Sequence, residues 1–517
     1  MVSLFFNQWY NPAYERYRRA VMSTLDIPAL IEKARKAQAI WGELSFKERA
    51  ERLKKAARYL GNHRDAITQI IHKENGKLLM DALAAEIIPA LMAIPYYTKR
   101  GRPLMASRSV GGGNILMFNK RSRLVYKPWG VVGIISPWNY PFSIPFSEVV
   151  MALLAGNGVM LKVASATPGV GRALDEIFKA AELPEGLFGY IELPGSEAGP
   201  AFISGGVDKL FFTGSTAVGR ELMALAAPRL LPLVLELGGA DAAIVCADAD
   251  LDRTASGIIW AAFSNTGQSC GGIQRILVHR DIYTAFMEKF CGKVKALRPG
   301  DNFDCDLGPM VSLKQKVAVK KSVDTCLDKG AQIAAQSPGS FDDESLYAPA
   351  MVLINVNSEM PILAGEVFGP VAAVVPFTDD EEAVRIANAS SYSLTSSVWS
   401  RNHSKAKKLA ARINAGAVMI NDHLMSHGLS ETPWGGFGDS GLGKTHGENG
   451  FKEMLKTQVI VDDILPGAKR DIWWQPYSEK VYKGIGAIAD FLAGPGFVTR
   501  VKAIPRLIRI FLRYWEK

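Results

Sequence analysis

From Val131 onward the chain alternates short apolar runs with helix-like stretches. VVGII, VMLKV, FGYIEL, KLFFTG, LVLELGG and AAIVC each read as a strand, and a second alternating block runs from QRILVH through MVLINV and VAAVVPF to AVMIND. Strands separated by helices imply a parallel sheet with helices on both faces, an α/β architecture. Residues 26–100 are helix-like instead, with apolar residues recurring at three and four and charges between them. At 517 residues the chain is too long for one ordinary core and implies two or three domains. Its 48% hydrophobic and 21% charged residues are those of a globular protein.

Two segments carry candidate chemistry. Cys270 lies in Asn265-Thr266-Gly267-Gln268-Ser269-Cys270-Gly271-Gly272, and Glu236 lies upstream in a run of Leu and Val just before Gly238 and Gly239. A small-residue turn running into a helix aims N–H groups at a sulfur and lowers its pKa, which makes a nucleophile. A lone buried cysteine is more often a small hydrophobe, so Cys270 by itself decides little. Glu236, flanked by Leu233, Val234, Leu235 and Leu237, reads as a buried carboxylate.

Two further turns belong with them. IISPWNYPF, Ile134 to Phe142, is a strand ending in a loop stiffened by two prolines, which fixes the Asn139 amide as a donor toward a developing oxyanion. LFFTGSTAVG, Leu210 to Gly219, is a strand breaking into a helix whose N-terminus offers N–H groups to a phosphate. An Asn satisfying its own turn, and a strand-to-helix turn without a ligand, are the plainer alternatives.

Five cysteines, at 246, 270, 291, 305 and 326, show no CxxC or CxH spacing, so neither a zinc site nor a disulfide framework is expected and a reducing compartment is. Met1 to Tyr10 lacks the positive start of a secretory signal. Pro128 to Ser147 is uncharged, yet four prolines and Asn139 exclude a smooth span. The expected location is cytoplasmic.

Taken in order, these residues resemble the aldehyde dehydrogenase superfamily. The resemblance adds Ala34, Arg35, Gln38, Trp41, Arg49 and Asn75 to Lys77 near the start. It continues through LKVASATP at Lys162, Gly300-Asp301, Gly308-Pro309, EVFGP at Glu366, Asn388, Asn421 and PWGGFGDSGLG from Pro433. It covers roughly residues 30 to 460, and the 34 residues between Glu236 and Cys270 match the family interval. The implied fold is a Rossmann-type cofactor domain (25–111 and 129–239), an α/β catalytic domain carrying Cys270 (240–423) and a small β oligomerisation arm (112–128 and 456–472). Residues 473–517 form a C-terminal extension.

The implied activity is oxidation of an aldehyde to the acid with NAD or NADP. Cys270 is then the nucleophile, Asn139 and the Cys270 N–H hold the oxyanion, and Glu236 activates the water that cleaves the thioester. The implied cofactor residues are Ile135, Ser136, Trp138, Lys162, Ser165, Gly214, Ser215, Leu237, Glu366 and Phe368. Ser165 departs from the Glu of many NAD-preferring members, which removes the repulsion of a 2′-phosphate, so NADP is expected to be accepted. Ala240, Gly365, Ser393 and Trp434 are departures that remove no chemical group. The expected substrates are medium- or long-chain or aromatic aldehydes. A succinate-semialdehyde dehydrogenase using NADP is the alternative, and a non-catalytic scaffold the alternative of another class. The partners are the aldehyde and other copies in a homodimer or homotetramer, with no nucleic acid and no metal.

The C-terminus carries a separate signal. Lys469 to Lys517 holds +6 of the chain's net +9. In PRLIRIFLRYWEK, Arg506, Arg509, Arg513 and Lys517 fall on one side of an ideal helix and Leu507, Ile508, Phe511, Leu512 and Trp515 on the other. A basic amphipathic helix of thirteen residues, too short to span a bilayer, is expected to lie on an anionic inner membrane face or to dock on protein. Trp473, Trp474, Pro476 and Tyr477 before it resemble the tails of membrane-associated family members that oxidise fatty aldehydes.

Overall fold

A computed structural model describes residues 25–111 and 117–516. The expectation for Met1 to Tyr10, part of the 112–128 segment, and Lys517 lie outside the described residues. The chain divides into two compact units, one holding residues up to Ala106 with Tyr126–Lys456, the other Ser107–Val125 with Thr457–Lys517.

The first unit holds two largely parallel sheets. One runs in the order Gly441–Leu442, Leu233–Glu236, Lys209–Thr213, Val131–Ile135, Gly158–Lys162, Phe188–Tyr190, parallel except at the Gly441 edge. The chain leaves Val131–Ile135 toward Phe188–Tyr190 and then crosses back to pair Lys209–Thr213 on the other side of the starting strand. Loops after Ile135 and Thr213 therefore diverge, which opens a crevice at the carboxyl ends of these neighbours. These strands are buried on both faces, which is why they read as continuous apolar runs.

The second sheet has seven strands, in the order Gln332–Gln336, Met351–Ile354, Val371–Phe377, Ile273–His279, Asp241–Val245, Thr395–Trp399, Ala417–Ile420. Leu237–Ala240 joins it to the first sheet, so the carboxyl end of Leu233–Glu236 lies beside the amino end of Asp241–Val245.

Helices Ile27–Glu43 and Phe46–Asn75 are punctuated by local chemistry. Asp26 caps the first, and Ser45 with Glu48 forms a reciprocal capping box at the second. Their family-like residues dock them on the first sheet: Trp41 Nε1 donates to the Leu153 carbonyl at 2.8 Å, Gln38 to the Gly156 carbonyl at 2.9 Å, and Arg49 Nε to the Leu154 carbonyl at 3.0 Å. The run Leu79–Met105, mean hydropathy 1.5, is long and apolar enough to cross a membrane. Its Ala90, Ala93, Ile94 and Tyr97 are packed in the protein core instead, and it carries the buried Glu86. Pro128 to Ser147, uncharged in sequence, is a buried strand, a loop and the start of helix Ser143–Ala155.

The second unit joins strands Arg108–Val110, Lys120–Pro128 and Leu455–Asp463 in one sheet with a helical hairpin, Glu479–Ala493 and Gly496–Leu512. Here the arm segments and the C-terminal extension belong together. Asn119 Nδ2 donates to Asp463 at 3.1 Å, Tyr514 Oη donates to Asn119 Oδ1 at 3.2 Å, and Lys120 bridges Asp463 and Asp471, each at 2.6 Å.

The terminal helix corrects the expectation from PRLIRIFLRYWEK. It begins at Gly496, runs for 17 residues and contains Pro505. Its apolar residues do not share one side. Leu507 joins Ala503, Ile510 and Tyr514 in the hairpin core, while Ile508, Leu512 and Trp515 remain exposed. Arg513 is buried and donates to the carbonyls of Trp474 and Pro476. A thirteen-residue window misses the second helix, which claims a face of its own.

Candidate active site

Cys270 faces a cavity of about 270 Å³ shared with Asn139, Trp138, Gly214, Ser215, Leu237, Glu366 and Phe368, all anticipated from the sequence. Pro137, Thr213, Gly238 and Gln315 complete the lining and were not anticipated as site residues. Gln315 Nε2 holds the Phe368 carbonyl at 3.0 Å, and a Gln on a helix of ordinary pattern gives no sequence signal. The Trp138 and Phe368 rings meet edge to face with centroids 5.4 Å apart.

The turn around Cys270 differs from expectation. It leads into strand Ile273–His279, not a helix, so no helix N-terminus addresses the sulfur. Burial, reinforced by the carboxylates of Glu366, Asp241 and Glu236, pushes the thiol well above its ordinary range. Deprotonation therefore needs a nearby base. Asn265 and Thr266 both sit at positive φ, 51° and 55°, strained for a β-branched residue, and Thr266 Oγ1 is tied to the Gly308 carbonyl at 2.7 Å.

The two glycines of the linker are required by close approach. A Cβ on Gly239 would lie 2.1 Å from the Cys270 carbonyl oxygen, and one on Gly238 would lie 2.5 Å from a Glu366 carboxylate oxygen. Glu366 accepts the Gly239 N–H at 3.1 Å, and burial raises its carboxyl to about 8.

Glu236 is buried, 3% exposed, and both carboxylate oxygens are without a hydrogen-bond partner. It does not face the cavity that Cys270 faces; Oε1 packs against Gly435, 2.6 Å from where a Cβ there would sit. Burial lifts its pKa well above the carboxylate range, with Lys444 opposing and Glu148 adding to the rise. The Thr445 N–H is committed to the Trp434 carbonyl at 2.8 Å and gives Glu236 only a weak downward pull. A dry carboxylate of raised pKa binds a proton more strongly than an exposed one. Lys444 and Glu148 lay outside the sequence reading because their partner is 208 and 88 residues away.

Asn139 is 3% exposed and donates through Nδ2 to the Gln268 carbonyl at 3.1 Å, leaving its second N–H available. Prolines alone do not hold its loop. Lys77 Nζ donates to the Asn139 carbonyl at 2.8 Å and pairs with Glu86 at 2.6 Å, both fully buried; Asn265 Nδ2 donates to the same carbonyl at 3.1 Å and Asn75 Nδ2 to that of Trp138 at 3.0 Å. Glu86 in turn accepts the N–H groups of Phe142 and Ser143 at 2.8 and 3.1 Å.

The phosphate-binding expectation rests on Ser215, which caps helix Thr216–Ala226 through its Oγ and faces the cavity together with Gly214. Lys162 lies beside Ile135 in register, and the Ser136 N–H donates to its carbonyl at 2.9 Å. Its ammonium is buried, and burial is the one influence moving its pKa, downward. Ile135, Ser136, Lys162 and Ser165 do not line the Cys270 cavity; Ser165 is exposed and Ser136 Oγ is buried without a partner.

A neutral aromatic cluster packs against the turn that carries Cys270. Trp434 packs on Gly271, 2.8 Å from where a Cβ would sit, and His427 lies 4.9 Å from the Trp434 ring, 5.9 Å from Tyr140 and 4.8 Å from His446. Burial holds His427 well below its ordinary pKa and His446 at about 4, so both imidazoles are uncharged.

The profile of the aldehyde dehydrogenase family matches residues 10–460. A 4,4′-diapolycopene aldehyde oxidase of a Methylomonas species is 34% identical over 473 residues, 90% of this chain and 88% of the relative. A putative succinate-semialdehyde dehydrogenase (NADP+) 2 of Mycobacterium ulcerans is 36% identical over 438 residues, 84% of each chain. The structure of succinic semialdehyde dehydrogenase from Streptococcus pyogenes in complex with NADP+ superposes with a TM-score of 0.79 at 26% identity, covering 84% of this chain and 94% of that one. With a thiol, a buried carboxylate and an amide gathered at the junction of two parallel sheets, and a match along most of its length, the chain belongs to the aldehyde dehydrogenase family.

Proposed function

We propose that the chain oxidises an apolar or aromatic aldehyde to its carboxylic acid with NAD or NADP through a covalent acyl-Cys270. The cavity joining Cys270 to Ser215, Glu366 and Phe368 carries this reading. Its residues fit a dinucleotide: the Ser215-capped helix start offers N–H groups to a pyrophosphate and Glu366 a carboxylate to a ribose, and outside the cavity lining the buried Lys162 ammonium offers a cation to the adenosine ribose. When bound, the nicotinamide supplies the hydride acceptor.

Cys270 Sγ adds to the carbonyl carbon as its proton passes to Glu236. The Asn139 Nδ2–H and the Cys270 N–H hold the oxyanion. Loss of the adduct carbon's hydride leaves a thioester, and Glu236 passes the thiol proton to solvent; the freed carboxylate then takes a proton from the water that cleaves the thioester and returns it to the leaving sulfur, releasing the acid and the thiol. Exposed Ser165 offers no carboxylate to repel a 2′-phosphate, which supports acceptance of NADP, as does the NADP+ named for the mycobacterial and streptococcal relatives. The wall of Tyr140, His427 and Trp434 presents no cation; Lys77, 3.9 Å over the Tyr140 ring, is already paired with Glu86, which favours an apolar tail over a carboxylate. Trapping an aldehyde on the intact enzyme and measuring mass tests the chemistry: an acyl adduct on Cys270, absent in Cys270→Ala, is expected, and turnover by Cys270→Ala at the wild-type rate overturns it.

The same reading holds the enzyme as a homodimer or homotetramer lying on an anionic membrane surface. Val459, Ile460 and Val461, exposed on consecutive positions of Leu455–Asp463, support association through the arm. Phe497, Val501, Ile504, Ile508, Leu512 and Trp515 form an exposed stripe at spacings of three and four along the last helix, which supports surface attachment. Ending the chain before Pro505 would remove core residues, so Ile508→Glu with Leu512→Glu is the sounder test. Flotation of this variant with anionic liposomes as efficient as wild type overturns the attachment.

A further inference from the structure

The helical hairpin of the second unit holds a cavity of about 530 Å³ that the proposed reaction does not use. Six cations line it: Arg470, Lys480, Lys483, Arg506, Arg509 and Arg513. Glu479 and Glu516 oppose them, and Glu479 is taken up by Lys483 at 2.6 Å. Among the described residues, Arg470, Lys480, Arg506 and Arg509 have no carboxylate within ion-pair distance.

Two features show that this is more than a solvated basic face. The N-cap Ser478 and the first residues Glu479, Lys480 and Val481 of the 15-residue helix Glu479–Ala493 lie along the cavity; Ser478 Oγ takes the Val481 N–H at 3.2 Å, and the positive dipole end sits among the cations. Arg513 is 4% exposed, lines the cavity and keeps a buried Nε with no hydrogen-bond partner. Its Nη2 is held by the Trp474 and Pro476 carbonyls, which fixes the guanidinium at the cavity wall while its Nε donor stays unsatisfied. Close helix packing fixes the geometry: a Cβ on Gly484 would lie 2.9 Å from Ile510.

We infer that this hairpin cavity binds a phosphate group, held by Arg470, Arg506 and Arg509 with the start of helix Glu479–Ala493. Planar guanidinium forks match phosphate oxygens in pairs, and the cavity is larger than one phosphate, so it admits a diphosphate or a phospholipid headgroup. The inference needs neither the catalytic reading nor the membrane reading.

The test uses the full-length protein and a triple variant, Arg470→Gln with Arg506→Gln and Arg509→Gln. Charge-matched Lys36→Gln with Arg58→Gln and Lys407→Gln, all in the first unit, is the control. Inorganic pyrophosphate binding is read by calorimetry, and flotation is read with vesicles of phosphatidic acid in phosphatidylcholine. Loss of affinity on the order of 100-fold in the triple variant, with the control unchanged, is expected. Binding of pyrophosphate alone identifies a soluble phosphate ligand, and binding of vesicles alone a lipid headgroup; either supports the site. No binding of either probe by wild type, or equal loss in the control, overturns it. Aldehyde turnover in free solution, unchanged in the triple variant, verifies its fold.

Discussion

Lys77→Met separates structural support from catalysis. Lys77 and Glu86 are both fully buried, 2.6 Å apart, and burial depresses the lysine pKa while Glu86 offsets this only in part. Removing the ammonium leaves a buried carboxylate with two N–H donors and no countercharge. Breaking one side of such a pair costs about 3–5 kcal/mol, and the retained N–H bonds favour the lower figure. An unfolding entropy of about 2.1 cal/mol/K per residue over roughly 400 residues converts 3 kcal/mol into a melting midpoint lower by about 4 °C. The Asn139 carbonyl also loses its shortest hydrogen bond, so the oxyanion donor drifts and kcat falls by roughly 10- to 100-fold, short of the full loss of such a donor. Calorimetry and steady-state kinetics read the two effects. Adding Glu86→Gln neutralises the stranded charge and recovers part of the midpoint, but not kcat, because Asn139 remains unanchored. A Lys77→Met enzyme with wild-type kcat at saturating aldehyde would falsify the positioning argument.

Ser165→Glu should lower kcat/KM for NADP by about tenfold or more relative to NAD; an unchanged ratio removes Ser165 from cofactor choice. Glu236→Gln should retain a burst of reduced cofactor stoichiometric with enzyme whenever the thiol is deprotonated at high pH, while steady-state turnover falls by about 10²–10⁴-fold, as stopped-flow absorbance would show. The wild-type rate should rise with pH, since burial raises the Glu236 pKa and the ionised form is the base; a flat profile contradicts this. Glu148, buried, titrates near 8, above its unfolded value, so its favourable contribution is complete below about pH 4 and is lost as pH rises through 8. Glu148→Gln should therefore leave the melting midpoint unchanged at pH 4 and raise it above pH 8, and an equal shift at both pH values speaks against a buried neutral acid.

Sequence reading picked out the residues that line the cavity better than those that support it. Cys270, Asn139, Trp138, Ser215, Glu366 and Phe368 meet in one cavity because each lies in a turn whose Gly, Pro or Asn content marks it locally. Buried strands were equally legible, since a parallel sheet covered on both faces writes itself as apolar runs. What escaped depends on tertiary distance. The thiol is raised rather than lowered because the fold buries it and three carboxylates from separate segments add to the rise, and no window around residue 270 contains either cause. Glu86 appears as an ordinary helical charge, and Lys77 only as part of a short family-like motif, until their partner loop is known. The terminal helix divided its apolar residues between two surroundings because its neighbour, Glu479–Ala493, takes one stripe, and periodicity counts stripes without naming occupants.

The Leu237–Ala240 connection has a consequence for how such an enzyme can diversify. Glu236 ends the strand on one side of it and the Cys270 carbonyl presses on Gly239 within it, so four residues, two without side chains, act like a fixed spacer bar. Outer strands and their loops are free to be remodelled, while a single methyl group added inside that spacer would push Cys270 away from it.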